Sequence, residues 1–141
     1  MIKNDELFLK TKLPQVEVTK ILINSLKQPI EYFTYNIRRY KVPVSLVLLC
    51  TETDVSSQIK NSIRLSDVFI PIKIGDLHFN FIFLPFTEGS DSYSFIKNVE
   101  HTKLLNIKNF FYFQQLDPTI YDYYSFFNTY LYEIKKEENL F

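Results

Sequence analysis

Glycine is nearly missing from this chain. Two glycines in 141 residues, Gly75 and Gly89, leave almost no room for the loops that cradle phosphates with backbone N–H groups. A single cysteine, Cys50, excludes an intramolecular disulfide, so a reducing cytoplasm is the expected home. Only two histidines, His78 and His101, are present. Neither has a second His or Cys at ligand spacing, so no metal site is expected. Charge of one sign is also lacking: 16 basic residues balance 16 acidic ones, and no general attraction to nucleic acid or an anionic membrane follows. The longest apolar stretch, 42–50, is far short of the ~20 residues that span a bilayer. The N-terminus MIKNDELFLK carries no run of signal-peptide length. No membrane insertion is expected.

What the chain has is aromatic mass. Fourteen Phe and ten Tyr predict an ordered protein with an aromatic core. The most informative stretch is DVFIPIKI, then Gly75-Asp76, then LHFNFIFLP. Two apolar runs around a two-residue turn with Gly first predict a type II′ hairpin. It pairs Ile74 with Leu77, Ile72 with Phe79, Ile70 with Phe81 and Val68 with Phe83. Alternation sends all eight to one face. Pro71 inside the first strand predicts a sheet edge.

Around this hairpin the chain reads in order. Leu13-Pro14 marks a turn or helix start. Val18, Ile21, Leu22 and Leu26 follow a helical period, interrupted at Pro29. A second helical segment runs through Tyr32, Phe33, Ile37 and Tyr40 to the stop at Pro43. VSLVLLC, 44–50, predicts a strand buried on both faces. A short helix over about 53–65 follows, with Thr51 or Thr53 as N-cap. After the hairpin a helix is expected over about 91–103, buried through Phe95, Ile96 and Val99. A fourth strand covers 108–115. Asp117-Pro118 predicts the start of a last helix, with Ile120, Tyr123, Tyr124, Phe127, Leu131 and Ile134 as its buried stripe. The expected fold is α+β, a ferredoxin-like β-α-β-β-α-β core with a four-stranded antiparallel or mixed sheet and extra N- and C-terminal helices. One domain is expected, with an N-terminal helical segment (1–43), a sheet core (44–115) and a C-terminal helix and tail (116–141).

Several stretches resemble the GGDEF domain family, the diguanylate cyclases, which share this core. Thr11-Lys12-Leu13-Pro14 looks like the entry motif L-T-G-L-P-N-R without its Gly and terminal Asn-Arg. The segment from Ile37 to Leu46 (IRRYKVPVSL) is similar to R-R-x-x-x-P-L-S-L. Arg64-Leu65-Ser66-Asp67-Val68 resembles the R-x-S-D-V lead-in to the signature hairpin, and Phe81-Ile82-Phe83-Leu84-Pro85 the strand leaving it. The departures fall on the chemistry. Magnesium-dependent chemistry on GTP needs carboxylates. The family's first-strand aspartate aligns with Cys50, a poor ligand for a hard cation, with Glu52 two residues on. The signature turn keeps one Gly and one Asp, Gly75-Asp76, and the hairpin is longer by about two residues. The segment that carries guanine contacts shrinks to one short helix. The resemblance therefore implies no cyclase activity, no catalytic residues and no cofactor.

It also implies a ligand. Family members carry an inhibitory R-x-x-D site for cyclic di-GMP just before the hairpin, and Arg64 and Asp67 stand there. An arginine fork suits phosphate or a guanine edge. The alternative is that Arg64 ends a solvated helix and Asp67 caps a loop. Other readings stay beside these. Cys50 is a nucleophile only if a His approaches it, and otherwise a buried thiol. Glu52 and Asp76 could hold nucleotide in a residual enzyme, although Asp76 needs no more explanation than its turn. Phe110–Phe113 resembles an RNA-stacking platform, but the glycine-rich motif is missing and the neutral charge argues against it. Tyrosines 121, 123, 124, 130 and 132 surround the last helix. Tyr121 and Tyr132 offer an exposed aromatic surface for a protein partner or homodimer. The expected function is a non-catalytic signalling module, with or without cyclic di-GMP.

Overall fold

Strand β1 (Val44–Thr51) is buried at every position, as its uninterrupted apolar run predicts. The computed structural model describes residues 7–88, 94, 95, 97, 109–119 and 122–137. It places β1 inside a four-stranded sheet with β2 (Val68–Ile74), β3 (Leu77–Pro85) and β4 (Asn109–Gln115). The order is β2-β3-β1-β4 and every pairing is antiparallel. The fold is α+β, an antiparallel sheet with flanking helices.

The hairpin register is the expected one, from Ile74↔Leu77 to Val68↔Phe83. Gly75 takes φ +59° and Asp76 does not take a positive φ, as a II′ turn requires. Strand β2 lies at the sheet edge, where Pro71 costs no ladder bond on its free side. Alternation along β1 builds two cores. Leu46, Leu48 and Cys50 join the larger cluster with Phe79, Phe81 and Phe83, while Val47 and Leu49 pack with Val55, Ile59, Ile82 and Leu84. Val68 shares the larger cluster's face but is half-exposed at the rim.

Three expectations about helices are corrected. Pro29 does not divide the first helical region, because α1 runs unbroken from Gln15 to Tyr40 with Pro29 inside it. Its missing N–H and ring clash cost about 3 kcal/mol. Val18, Leu22, Leu26, Ile30 and Phe33 are all buried along one stripe, at roughly 1.5–3 kcal/mol each, so packing outweighs the break. Helix α2 covers only Ser56–Lys60, and neither Thr51 nor Thr53 caps it. Thr51 is in β1 and donates its hydroxyl to the Thr53 carbonyl at 2.6 Å, while Asp54 accepts from the Ser56 N–H at 2.9 Å. Asn61 and Ser62, whose side chains compete for backbone groups, end the helix in turns.

The last helix, α3 (Tyr123–Lys136), starts at Tyr123 rather than at Asp117-Pro118, with Asp122 as N-cap to the Ser125 N–H. Asp117 instead closes a local turn on Thr119, accepting its N–H at 2.8 Å. Tyr124, a core position by its helical spacing, is 41% exposed. It flanks a stripe whose centre is Phe127, Tyr130, Leu131 and Ile134, all fully buried. Tyr130 is the aromatic keystone, edge-on to Phe81 at 5.8 Å and to Tyr112 at 5.1 Å. Between β3 and β4, Ser94, Phe95 and Lys97 are helical, and Phe95 packs on the smaller cluster. Most of the helix expected over 91–103, including Ile96 and Val99, lies outside the described residues. So do His101, Ile120 and Tyr121.

Candidate functional site

Two groups of expected site residues sit at opposite ends of β2, because Asp67 precedes its first residue and Gly75 follows its last. The end with the turn also receives the end of β1, since Thr51 pairs with His78. Cys50 is there, fully buried, and burial pushes its thiol far above the ordinary value. A protonated, inaccessible thiol is neither a nucleophile nor a ligand for a hard cation.

The acids at this end are engaged by the N-terminal hook over residues 7–14. The hook is built by a Leu7–Pro14 bridge, a 3₁₀ turn at Leu9–Thr11, and the Phe8 N–H donating to the Leu13 carbonyl at 2.7 Å. It lies on the hairpin turn, where the Asp76 N–H donates to the Lys10 carbonyl at 2.9 Å. Lys10 reaches Glu52 at 2.6 Å and Lys12 reaches Asp76 at 3.3 Å. Glu52 and Asp76 thus face lysines of their own chain. Among the described residues no group of three His, Cys, Asp or Glu could hold a metal ion.

At the other end, the chain leaves α2 and turns into β2 through 64–67, with the Asp67 N–H donating to the Arg64 carbonyl at 3.0 Å. The Asp67 side chain is 1% exposed. Its Oδ2 accepts the Arg64 N–H at 2.8 Å, closing the turn, and its two oxygens accept Arg64 Nε at 3.1 and 3.2 Å. Arg64 Nη2 donates to Asp67 Oδ1 at 2.7 Å, to the Pro85 carbonyl at 2.8 Å and to Thr87 Oγ1 at 3.0 Å. Nε and Nη2 are therefore occupied. Nη1 makes no hydrogen bond within the described residues, and the side chain is 51% exposed.

The guanidinium faces a cavity of about 320 Å³ lined with Ser62, Leu84, Phe86, Thr87 and Phe95. These contacts thus hold one edge of a planar cation and leave the side chain half-exposed beside the cavity. Asp67 both caps the loop and positions the arginine. Sequence reasoning found this pair but missed its supports, Pro85 and Thr87. They sit some twenty residues downstream and meet Arg64 only because β2 pairs with β3; the chain carries no local signal for that.

The expected interaction surface is described only in part. Tyr132 is 62% exposed, with Lys136 Nζ 5.2 Å from its ring centre. No described helix is long and apolar enough to cross a membrane.

No protein-family model matches the chain, and no curated protein matches it. Solved structures do. The chain is similar to PelD 158-CT from Pseudomonas aeruginosa PAO1, with a TM-score of 0.53 and 14% identity over 72% of this chain and 40% of that one. It is equally similar to PelD 156-455 from Pseudomonas aeruginosa PA14 in complex with c-di-GMP, at TM-score 0.53 and 14% identity, covering 72% of this chain and 42% of that one. The chain spans about two fifths of the length of these structures. At this identity the likeness is one of fold, and the fold is GGDEF-like.

Proposed function

We propose that this chain is a GGDEF-like module without cyclase activity that receives cyclic di-GMP at Arg64 and signals through protein contacts. The observation that carries this reading is the half-clamped guanidinium. Asp67, Pro85 and Thr87 fix Nε and Nη2, and Nη1 remains for a phosphate or guanine edge. The presence of c-di-GMP on a structural neighbour of the same fold supports the choice of ligand. The lysine-paired Glu52 and Asp76 and the buried thiol of Cys50 support the absence of catalysis. A lone buried cysteine fits a reducing, cytoplasmic setting.

Calorimetric titration with cyclic di-GMP, repeated on Arg64→Ala, tests the reading. A charge-assisted contact contributes about 1.5–3 kcal/mol, so the substitution weakens binding by roughly 10- to 150-fold. Wild-type protein that binds no cyclic di-GMP overturns the receptor role and leaves a protein-interaction module. Incubation with GTP and Mg²⁺ is expected to release no pyrophosphate, and release would overturn the non-catalytic reading.

For the partner surface, the exposed ring of Tyr132, together with Tyr121, is the proposed contact to another protein or a second copy. Charge substitutions at Tyr121 and Tyr132 are expected to change oligomeric mass or pull-down profile. An unchanged mass and profile would move the contact elsewhere.

A further inference from the structure

Phe86 is the residue whose conformation its packing does not explain. Its φ is +60°, a region that a bulky L-residue rarely enters, yet its ring is 68% exposed. Strain of this kind persists only where the surroundings impose it. Here both neighbours are tied down. The Pro85 carbonyl and Thr87 Oγ1 accept from Arg64, the Thr87 carbonyl accepts from Ser45 Oγ at 2.9 Å, and the Thr87 N–H donates to the Pro43 carbonyl at 3.3 Å. The same arginine that faces the ligand cavity therefore helps hold an aromatic ring out into solvent.

That ring lies between two cavities. On one side is the Arg64 cavity. On the other is a groove of about 530 Å³, within the range of ligand pockets, lined by Tyr32, Asn36, Tyr40 and Phe86 and floored by Phe33. Tyr32 and Tyr40 are each 62% exposed. Phe33 is locked beneath them by stacking on Phe83 at 4.8 Å. The Asn36 amide makes no hydrogen bond within the described residues. Exposed aromatic faces beside one free amide suit a planar heteroaromatic ring: faces to stack on, and a donor–acceptor pair for the ring's edge.

We propose that this groove is a second subsite, in which Phe86 with Tyr32 and Tyr40 stacks a purine base of the nucleotide whose phosphate or other base is held at Arg64. The inference rests on the Arg64 reading and deepens it. The shared wall, Phe86, commits the groove to the same ligand, because a dinucleotide anchored on one side of that ring presents its second base to the other.

The test is titration of cyclic di-GMP into wild-type protein and into Phe86→Ala, Phe86→Gly and Tyr40→Ala, with the melting temperature of each. Loss of a stacking ring weakens binding by about 5- to 150-fold. Phe86→Gly removes the strained φ and so melts no lower than wild type while still binding more weakly. Weakened binding by folded Phe86 and Tyr40 variants supports the subsite. Wild-type affinity in those variants, with binding still weakened in Arg64→Ala, overturns the subsite and leaves the Arg64 site standing. No binding by the wild type removes both, and the groove is then open to an apolar side chain of a protein partner.

Discussion

A side chain on Gly75 has nowhere to go. The residue sits at φ +59°, and a Cβ there would run into the backbone carbonyls of Lys10 and Thr11. Left-handed backbone alone costs about 1–2 kcal/mol for an L-residue, and here the obstruction is backbone, which cannot swing aside. Gly75→Ala is therefore expected to lower unfolding stability by at least ~2 kcal/mol in a denaturant melt, with the hook at 7–14 the first segment to lose proteolytic protection. A neutral substitution would mean that the hook does not rest on the turn. In the sequence Gly75-Asp76 was legible as a hairpin turn. Its present duty was not. The contact with Lys10 and Thr11 joins residues more than sixty positions apart, and no short-range pattern encodes it. The arginine shows the same division: Arg64 and Asp67 were identifiable as a spaced pair, whereas the carbonyl and hydroxyl that complete the clamp come from the last residue of β3 and the second residue beyond it.

Among the elements, strands were more legible than helix ends. Period-two alternation around Gly75 set the β2–β3 register to the residue, since a slip by one would turn every core side chain outward. Helix boundaries depend on which of several capping groups wins, and two Asp residues competed for the last one. Asp117 precedes proline, but its carboxylate closes on Thr119, and Asp122 takes the cap. The backbone N–H of Ser125, then its hydroxyl, hold the Asp122 carboxyl below its ordinary value. A carboxyl whose folded value is depressed contributes its stability above its unfolded value and loses it as pH falls through the folded one. Asp122→Ala is expected to lower Tm by a few degrees at neutral pH. The gap from wild type should then close as pH falls below about 4. A gap that persists undiminished in acid would assign the effect to something other than the charged cap.

At the scale of the whole molecule, the two ends of the sheet are differentiated. At one end, the chain's own hook and lysines cover the hairpin turn; at the far end, an arginine is clamped and left half-open beside a cavity, with a second groove across Phe86. If ligand affinity resides at the second end, it should register as stability, because a ligand that binds only the folded state stabilises it by mass action. At a free concentration one hundred times Kd the gain is about 2.7 kcal/mol, which for a chain of this size raises Tm by upward of about 5 °C. Arg64 also ties the 64–67 turn to Pro85 and Thr87, so Arg64→Ala should melt somewhat lower even without ligand, and absolute Tm values would confuse the two roles. The informative quantity is the increment each protein gains from cyclic di-GMP. We expect an increment in the wild type that grows with the logarithm of ligand concentration, and a clearly smaller one in Arg64→Ala over the same range. Charge reversal at Glu52 or Asp76 should leave the increment unchanged, because those acids belong to the other end of the sheet. Equal increments in wild type and Arg64→Ala would place the ligand away from the clamp; loss of the increment on substituting Glu52 or Asp76 would place it at the turn.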